Sequence, residues 1–461
     1  MAVAQTRIRS INDKAVVTGD YVLYWMQQSQ RAEHNPALDV AIGEANRLKR
    51  PVLVAFGLTD TYPEANLRHY RFMLEGLQDA QTALRRKGIQ LVVRLGEPAK
   101  VALALGHRAA LMVCDVGYTR HQRQWRKTVA TRAACRVLAV EGDVTVPLAV
   151  ASDKAEYAAR TLRPRITKHL DDYLKLGRAA KPRQTSLHFK MGGRDMDNID
   201  QVLAGLAIDR TVPPVSTLFK GGCREAKKRL RAFIRNRLSR YEAHGNQPQT
   251  DDISHMSPYL HFGQISPVYV ALQVHRARNG RRIDREAYLE ELIVRRELAA
   301  NFVRCTPDYD RYTCLPQWAR KTLADHAEDA RPAIYTRGEL EAARTHDPYW
   351  NAAMREMKHT GFMHNYMRMY WGKKILEWSG SPEKAFETAL AINNKYFLDG
   401  RDPNSYAGVA WIFGKHDRAW PERPIFGKVR YMAAGGLERK CDIRAYVRKV
   451  EHRIRKIQAK S

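Results

Sequence analysis

The sequence predicts an α/β domain with a Rossmann-like parallel sheet, followed by an all-α domain. Three observations carry this. At 461 residues the chain is too long for one compact core, so two or three domains are expected. In the first third, short apolar runs alternate with segments of helical spacing, which is the pattern of βαβ units. Beyond Thr217 almost every segment has the period of a helix.

Taken in order, Tyr21–Met26, Pro51–Leu58, Ile89–Leu95, Ala110–Val116 and Arg136–Glu141 are continuous apolar runs suited to strands covered on both faces. Ala37–Arg50, Leu67–Lys87, Glu97–Leu105 and Arg120–Ala134 are the helices between them. A helix over Ile166–Leu176 ends this part. Residues 177–216 are rich in Gly, Pro, Lys, Arg and Asp with little periodicity, and read as an interdomain linker wrapping the surface. The helices Cys223–Tyr241, Pro267–Arg278, Arg285–Phe302, Arg337–Thr345, Trp350–Thr360, Met363–Trp378, Pro382–Asn394 and Asp442–Lys456 follow. The expected limits are thus 1–176, 177–216 and 217–461, with no internal repeat.

Composition narrows the function. Seventy-eight Lys and Arg against 49 Asp and Glu give a net charge of +29, an imbalance that points to a polyanionic partner, with nucleic acid foremost. A hydrophobic fraction of 44% is ordinary for a soluble protein. No apolar run approaches the roughly 18 residues of a membrane span, and Met1–Lys14 is too polar for a signal peptide. A cytoplasmic protein without membrane contact is expected. The six cysteines lack CxxC pairs or accompanying His spacing, so reduced thiols are expected and no metal site.

Several chemistries are excluded by absent motifs. Neither GxxxxGK(S/T) nor GxGxxG occurs, and HExxH and the zinc-deaminase pattern are missing too. What remains is charge, aromatics and a few polar groups. Lys220–Arg240 holds nine basic residues against Glu225, and Arg444–Lys460 holds seven against Glu451. One such run is usually a solvated helix face; two in one helical domain favour phosphate contact. Ser254 and Ser257 can cap a helix beginning near Pro258, whose free N–H groups attract phosphate, although a plain N-cap explains them equally. Glu291 and Glu297 share a helix with Arg295 and Arg296. Either they form helical ion pairs, Glu291 to Arg295 being i, i+4, or a carboxyl facing an apolar cavity has a raised pKa and donates a proton or hydrogen bond.

Six of the eight tryptophans fall in the helical half. Trp371 and Trp378 are two turns apart on one face, about 10 Å along the axis. Core packing explains such a stripe, and with Trp350 it also suits ring-to-ring electron transfer; the two are compatible. Aromatic rings beside fixed charges, as between Thr360 and Trp411, suit a planar cofactor or stacking on bases.

Ser257-Pro-Tyr-Leu-His-Phe-Gly-Gln264, Arg296-Glu-Leu-Ala-Ala-Asn-Phe302, Arg368-Met-Tyr-Trp371, Lys374-Ile-Leu-Glu-Trp378 and Asp399-Gly-Arg-Asp-Pro-Asn404 resemble the class II DNA photolyases of the photolyase/cryptochrome flavoproteins. Tyr24-Trp-Met and Asn35-Pro-Ala-Leu-Asp extend the likeness to the N-terminal part. The resemblance implies an N-terminal α/β antenna domain, a wrapping linker and a helical domain holding FAD. It implies light-driven repair of cyclobutane pyrimidine dimers in UV-damaged DNA, by an electron passed from reduced anionic FAD to the flipped-out dimer. A deazaflavin or folate antenna and a monomeric enzyme go with it. By motif position, Tyr241, Ser254, Met256 and Ser257 contact the FAD phosphates and ribityl chain. Arg368 and Asp399 form an ion pair beside the flavin ring, and Asn393 faces its N5. Trp378, Trp371 and Trp350, in that order outward, form the photoreduction chain. Glu291 hydrogen-bonds the dimer, Trp411 stacks on it, and Trp420 lies close to the DNA.

Three positions depart from the family pattern. His255 stands where many members have Asn or Gly. Asn365 gives MHN where class II enzymes often have MHG; it resembles the class I photolyases and argues against (6-4) photoproduct repair. Arg295 stands where some archaeal relatives have a second lesion-clamping Trp, and an arginine plane can partly replace that ring. The alternative class is a cryptochrome-like blue-light photoreceptor without repair; Glu291, Asn365 and Trp411 favour the enzyme.

Overall fold

The computed structural model describes residues 3–459, and Lys460, the end of the second basic run, lies outside them. Six strands form one sheet: β1 (Ile8–Ser10), β2 (Tyr21–Trp25), β3 (Val52–Leu58), β4 (Gln90–Leu95), β5 (Ala109–Asp115) and β6 (Val137–Val140). Their order is β1-β6-β5-β2-β3-β4. The five apolar runs pair in parallel, and β1 joins β6 antiparallel. The sequence holds no hint of β1, which is three polar-flanked residues at a sheet edge.

Four helices cover the sheet: α1 (Pro36–Leu48), α2 (Leu67–Arg85), α3 (Pro98–Gly106) and α4 (Arg120–Arg132). Strand side chains alternate between two cores. Val22, Tyr24, Val52 and Val54 pack with Leu38 and Ile42 of α1 and Leu74 of α2. Leu23, Trp25, Leu53 and Ala55 pack with Ala102 and Leu105 of α3 and Val129 of α4. Fully burying one Val or Leu side chain contributes roughly 1.5–3 kcal/mol, so both faces resist exposure. This double coverage is why the strands read as unbroken apolar runs.

The chain forms two compact units. The first comprises Met1–Asp153, Pro164–Arg231 and His255–Arg276; the second comprises Lys154–Arg163, Ala232–Ser254 and Ala277–Ser461. The stretch 177–216 is not featureless: Ile199–Ala204 is a helix, and Met196, Val202 and Leu203 are buried in the first unit's core.

The second unit is helical. Pro348–Thr360 packs on Asn365–Glu377 and on Ile443–Gln458, and Pro403–Ile412 packs on Asn365–Glu377, Pro382–Tyr396 and Arg296–Cys305. Three of these helices begin alike, with Asp347, Ser381 or Asp402 accepting from the first-turn amides and Pro at the next position, the pairing of cap and proline that starts helices. Helix Pro403–Ile412 has no amphipathic stripe, since it is buried nearly all round, and its periodicity is correspondingly unreadable. None of the six cysteines is in a disulfide, and Cys114, Cys135, Cys314 and Cys441 are buried. Among the described residues no helix is long and apolar enough to cross a membrane.

Candidate active site

The motif Asp399-Gly-Arg-Asp-Pro-Asn404 is a turn in which each residue has a separate task. Asp399 accepts from Arg368 Nη2 through both oxygens at 3.1 Å. Gly400 lies against the backbone of Asn393 and Asn394, where a Cβ would be tight at 3.0 Å. Arg401 adopts a left-handed φ of 67° and donates to the Asn394 carbonyl at 2.8 Å. Asp402 caps helix Pro403–Ile412. Arg368 also donates to the Met363 carbonyl, and its guanidinium lies 3.9 Å from the centre of the Phe397 ring. Its position is therefore fixed by carboxylate, carbonyl and ring together. Asn393 is buried and spends its amide N–H groups on Asn394 Oδ1 and Ser405 Oγ, so its carbonyl is the end left to accept from a ligand.

Trp350, Trp371 and Trp378 are all buried. Trp350 donates its indole N–H to the Trp371 carbonyl at 2.9 Å, and its ring stands edge-on to Trp378 with centres 5.7 Å apart. Trp371 abuts Phe397, the ring under Arg368. At the other end Trp378 meets Tyr335 and His346, which are both partly exposed. The contacts therefore run Trp371, Trp350, Trp378, from the ion pair towards solvent. The expected order Trp378, Trp371, Trp350 would put Trp371 in the middle, whereas here it is Trp350 that touches both others. Helical spacing relates Trp371 to Trp378 but is silent about Trp350, which enters from another helix.

Glu291 and Arg295 do not form the i, i+4 pair of a regular helix. Residues Glu290–Arg295 form a π-helical turn inside the helix that runs from Arg282 to Cys305. The wider turn brings i and i+5 together, and Arg295 pairs with Glu290 at 3.4 Å. Glu290 is held in turn by Arg163 through two bonds of 2.8 and 3.0 Å. Glu291 is left without the expected partner. Its surface reaches solvent while protein atoms crowd its carboxyl, and this desolvation raises its pKa; Arg295 opposes the rise and Glu290 adds to it. The Arg295 guanidinium lies 5.1 Å from the centre of the partly exposed Trp411 ring. On the same indole, His416 stands edge-on at 6.3 Å. Burial drives the His416 pKa down to about 4, and Nδ1 lies 2.7 Å from the Tyr157 carbonyl.

Of the four residues expected to take a phosphate and sugar chain, Ser254, Met256 and Ser257 fall in one short stretch, and Tyr241 and Ser254 share Tyr288 as a neighbour. Tyr241 and Ser254 belong to the helical unit, where Ser254 hydrogen-bonds Tyr288 at 3.0 Å and the Tyr241 ring meets Tyr288. Met256 and Ser257 belong to the first unit. Neither serine caps the helix Ser257–His261, whose N-cap is Met256 without a side-chain bond. His255 between them has φ 54°, a conformation that suits Asn or Gly better.

Much of the basic charge is committed internally. Arg224 pairs with Asp79, Lys227 with Glu33, Arg240 with Asp252, and Arg453 with Glu356 and Asp251. Arg231, Arg235, Arg448, Arg455 and Lys456 remain exposed. Trp420 is flanked by the guanidinium groups of Arg418 and Arg430, 5.2 and 5.1 Å from the ring centre. Asn365 is exposed at the start of helix Asn365–Glu377.

Two features escaped the sequence. Lys373 is sealed inside the helical unit, where burial lowers its pKa to about 7, Asp417 opposing and Arg430 adding; a lysine amid Tyr370, Trp371, Ile375 and Leu376 was its only trace. In the first unit a cleft lined by Trp25, Gln27, Cys114, Asp115, Gln122 and Trp125 lies at the ends of β2 and β5, where strand order reverses, the usual place for a ligand on an open sheet. There Asp115 accepts from the backbone N–H groups of Gln27, Gln28 and Ser29, each at 3.0 Å. A carboxylate thus fills the amide nest that would otherwise face a phosphate, consistent with the missing GxGxxG.

The family model for DNA photolyase matches residues 22–185. The chain is 48% identical to the deoxyribodipyrimidine photo-lyase of Methanothermobacter thermautotrophicus, over 96% of this chain and 98% of the relative. Identity to the deoxyribodipyrimidine photo-lyase of Potorous tridactylus is 39%, over 93% of this chain and 81% of that one. The archaeal photolyase of Sulfolobus tokodaii, solved with two FAD molecules, shares the fold with a TM-score of 0.70 at 16% identity, over 93% of this chain and 89% of that one. With an α/β unit, a helical unit and near-full-length relatives at such identity, the chain belongs to the DNA photolyase family of lyases.

Proposed function

We propose that this enzyme is a class II photolyase that uses light to split cyclobutane pyrimidine dimers in UV-damaged DNA, the dimer being turned out of the duplex. The observation that carries the reading is the group formed by Glu291, Arg295 and Trp411, a raised carboxyl beside a guanidinium that lies on a partly exposed indole. Trp411 offers a face for one base, worth about 1–3 kcal/mol, and Arg295 supplies a charged second wall. Glu291 in its protonated form donates to a carbonyl of the dimer and steadies the charge that develops as the ring opens.

The residues present fit FAD. Arg368, Asp399 and Asn393 would hold its ring system: the ion pair adds no net charge, and the free Asn393 carbonyl suits a ring N–H that only the reduced form carries. Tyr241, Ser254, Met256 and Ser257 would take its phosphates and ribityl chain. Bound in the reduced anionic state, FAD supplies the electron that light drives into the dimer. Trp378, Trp350 and Trp371 conduct electrons inward from the solvent side. Asn365 and Trp420 meet the DNA. Residues 1–176 serve as the antenna domain, for a deazaflavin or folate; 177–216 link it to the FAD- and DNA-binding part, 217–461. The enzyme acts as a cytoplasmic monomer.

The test is direct. Reduced enzyme under blue light should clear thymine dimers from an oligonucleotide, and Glu291→Gln should lower that yield several-fold while sparing FAD photoreduction. Dimers left intact by the wild-type protein would overturn the reading in favour of a photoreceptor.

A further inference from the structure

We infer that Lys373 is a positioning residue for Trp411, fixing the helix end that carries this indole so that it presents one face to a stacked base. The inference rests on the repair reading above. The Lys373 ammonium donates to the carbonyl of Ile412, the last residue of helix Pro403–Ile412 and the neighbour of Trp411. A helix C-terminus has unpaired carbonyls and the negative end of the dipole, so a cation is favoured there. The adjacent Gly372 grips the same point from another side: a Cβ built on it would collide with Ile412 Cδ1. Two consecutive residues therefore hold Ile412 by main chain and side chain.

Lys373 is 1% exposed, and the charges acting on it are Asp417 and Arg430. Burying an ammonium in this way is costly, and methionine would fill the same space without that penalty. What methionine cannot do is hold a carbonyl at a set distance and direction. The helix that supplies the grip, Asn365–Glu377, also carries Arg368 and Trp371. The lesion wall is thereby referenced to the same rigid element as the ion pair and the electron relay.

The experiment compares full-length, FAD-loaded wild type with K373M, K373Q and K373R, each also in a Trp411→Phe background. Dark binding of a thymine-dimer oligonucleotide is measured beside that of an undamaged one. K373M and K373Q should weaken lesion binding about tenfold, within the worth of one stacked base, and raise KM with little change in kcat. Binding to undamaged DNA should hold, K373R should recover most of the loss, and K373M should add nothing in the Trp411→Phe background. If K373M does not fold, K373Q gives the same comparison. Undiminished lesion binding, equal loss on undamaged DNA, or a full effect in Trp411→Phe would overturn the inference. Wild type that binds the lesion without repairing it would instead overturn the repair reading, and the binding series would still judge Lys373.

Discussion

Trp350 touches its two partners differently: it offers Trp371 an indole N–H and Trp378 a ring edge. In the proposed relay, its place in the middle makes it the residue whose loss would break the chain. Trp350→Phe should sharply slow photoreduction of oxidised FAD while enzyme reduced beforehand still repairs, and should cost about 1–3 kcal/mol of stability from the space it leaves. Equal loss of both activities would show that the indole acts by packing alone. Sequence could nominate all three tryptophans but not rank them, because only packing sets which rings meet. The same limit applied to Glu291. Its identity was legible from motif resemblance, whereas its separation from Arg295 depends on a turn geometry that leaves no mark in apolar spacing.

Among the elements, helices and strands with distinct faces or bounded apolar runs were legible to within a few residues, as β2 to β6 and Pro382–Tyr396 illustrate. Those buried on every side were not, and Pro403–Ile412 was missed for that reason. Tertiary ties between elements were equally invisible. Glu341, at the end of Arg337–Glu341, accepts from Lys395 at 2.7 Å and Tyr396 at 2.7 Å, and pairs with Arg337. Desolvation acts to raise its pKa, but these partners prevail and hold it down to about 2. A carboxylate depressed in the folded state stabilises above its unfolded value, near 4.5, and that stability fades as pH falls towards about 2. Glu341→Gln should therefore lose about 1 kcal/mol near neutrality, after allowance for solvent screening. The gap from wild type should close as the solution is acidified through that window in chemical denaturation. A gap independent of pH would place its role elsewhere.

At the scale of the whole molecule, a net charge of +29 was the clearest guide to a polyanionic partner. The structure divides that charge by duty. Arg453 faces Glu356 and Asp251, while Arg448 and Arg455 face solvent. DNA affinity should fall steeply with salt, and Arg448→Ala together with Arg455→Ala should flatten the log–log slope by about 1 for each phosphate no longer neutralised. Arg453→Ala should leave that slope unchanged and lower the unfolding midpoint instead. A slope insensitive to the exposed pair would move the DNA to another face.

The π-helical turn at Glu290–Arg295 has a consequence for how the protein can change. Such a turn is an α-helix carrying one surplus residue. Deleting a single residue there would restore a regular and more comfortable helix, yet each residue advances a helix by about 100°, so everything upstream would swing away from Arg296–Cys305. The surplus residue thus sets the angular register between Arg282–Leu289 and Arg296–Cys305, and a deletion that made the helix more regular would undo the packing of everything before it.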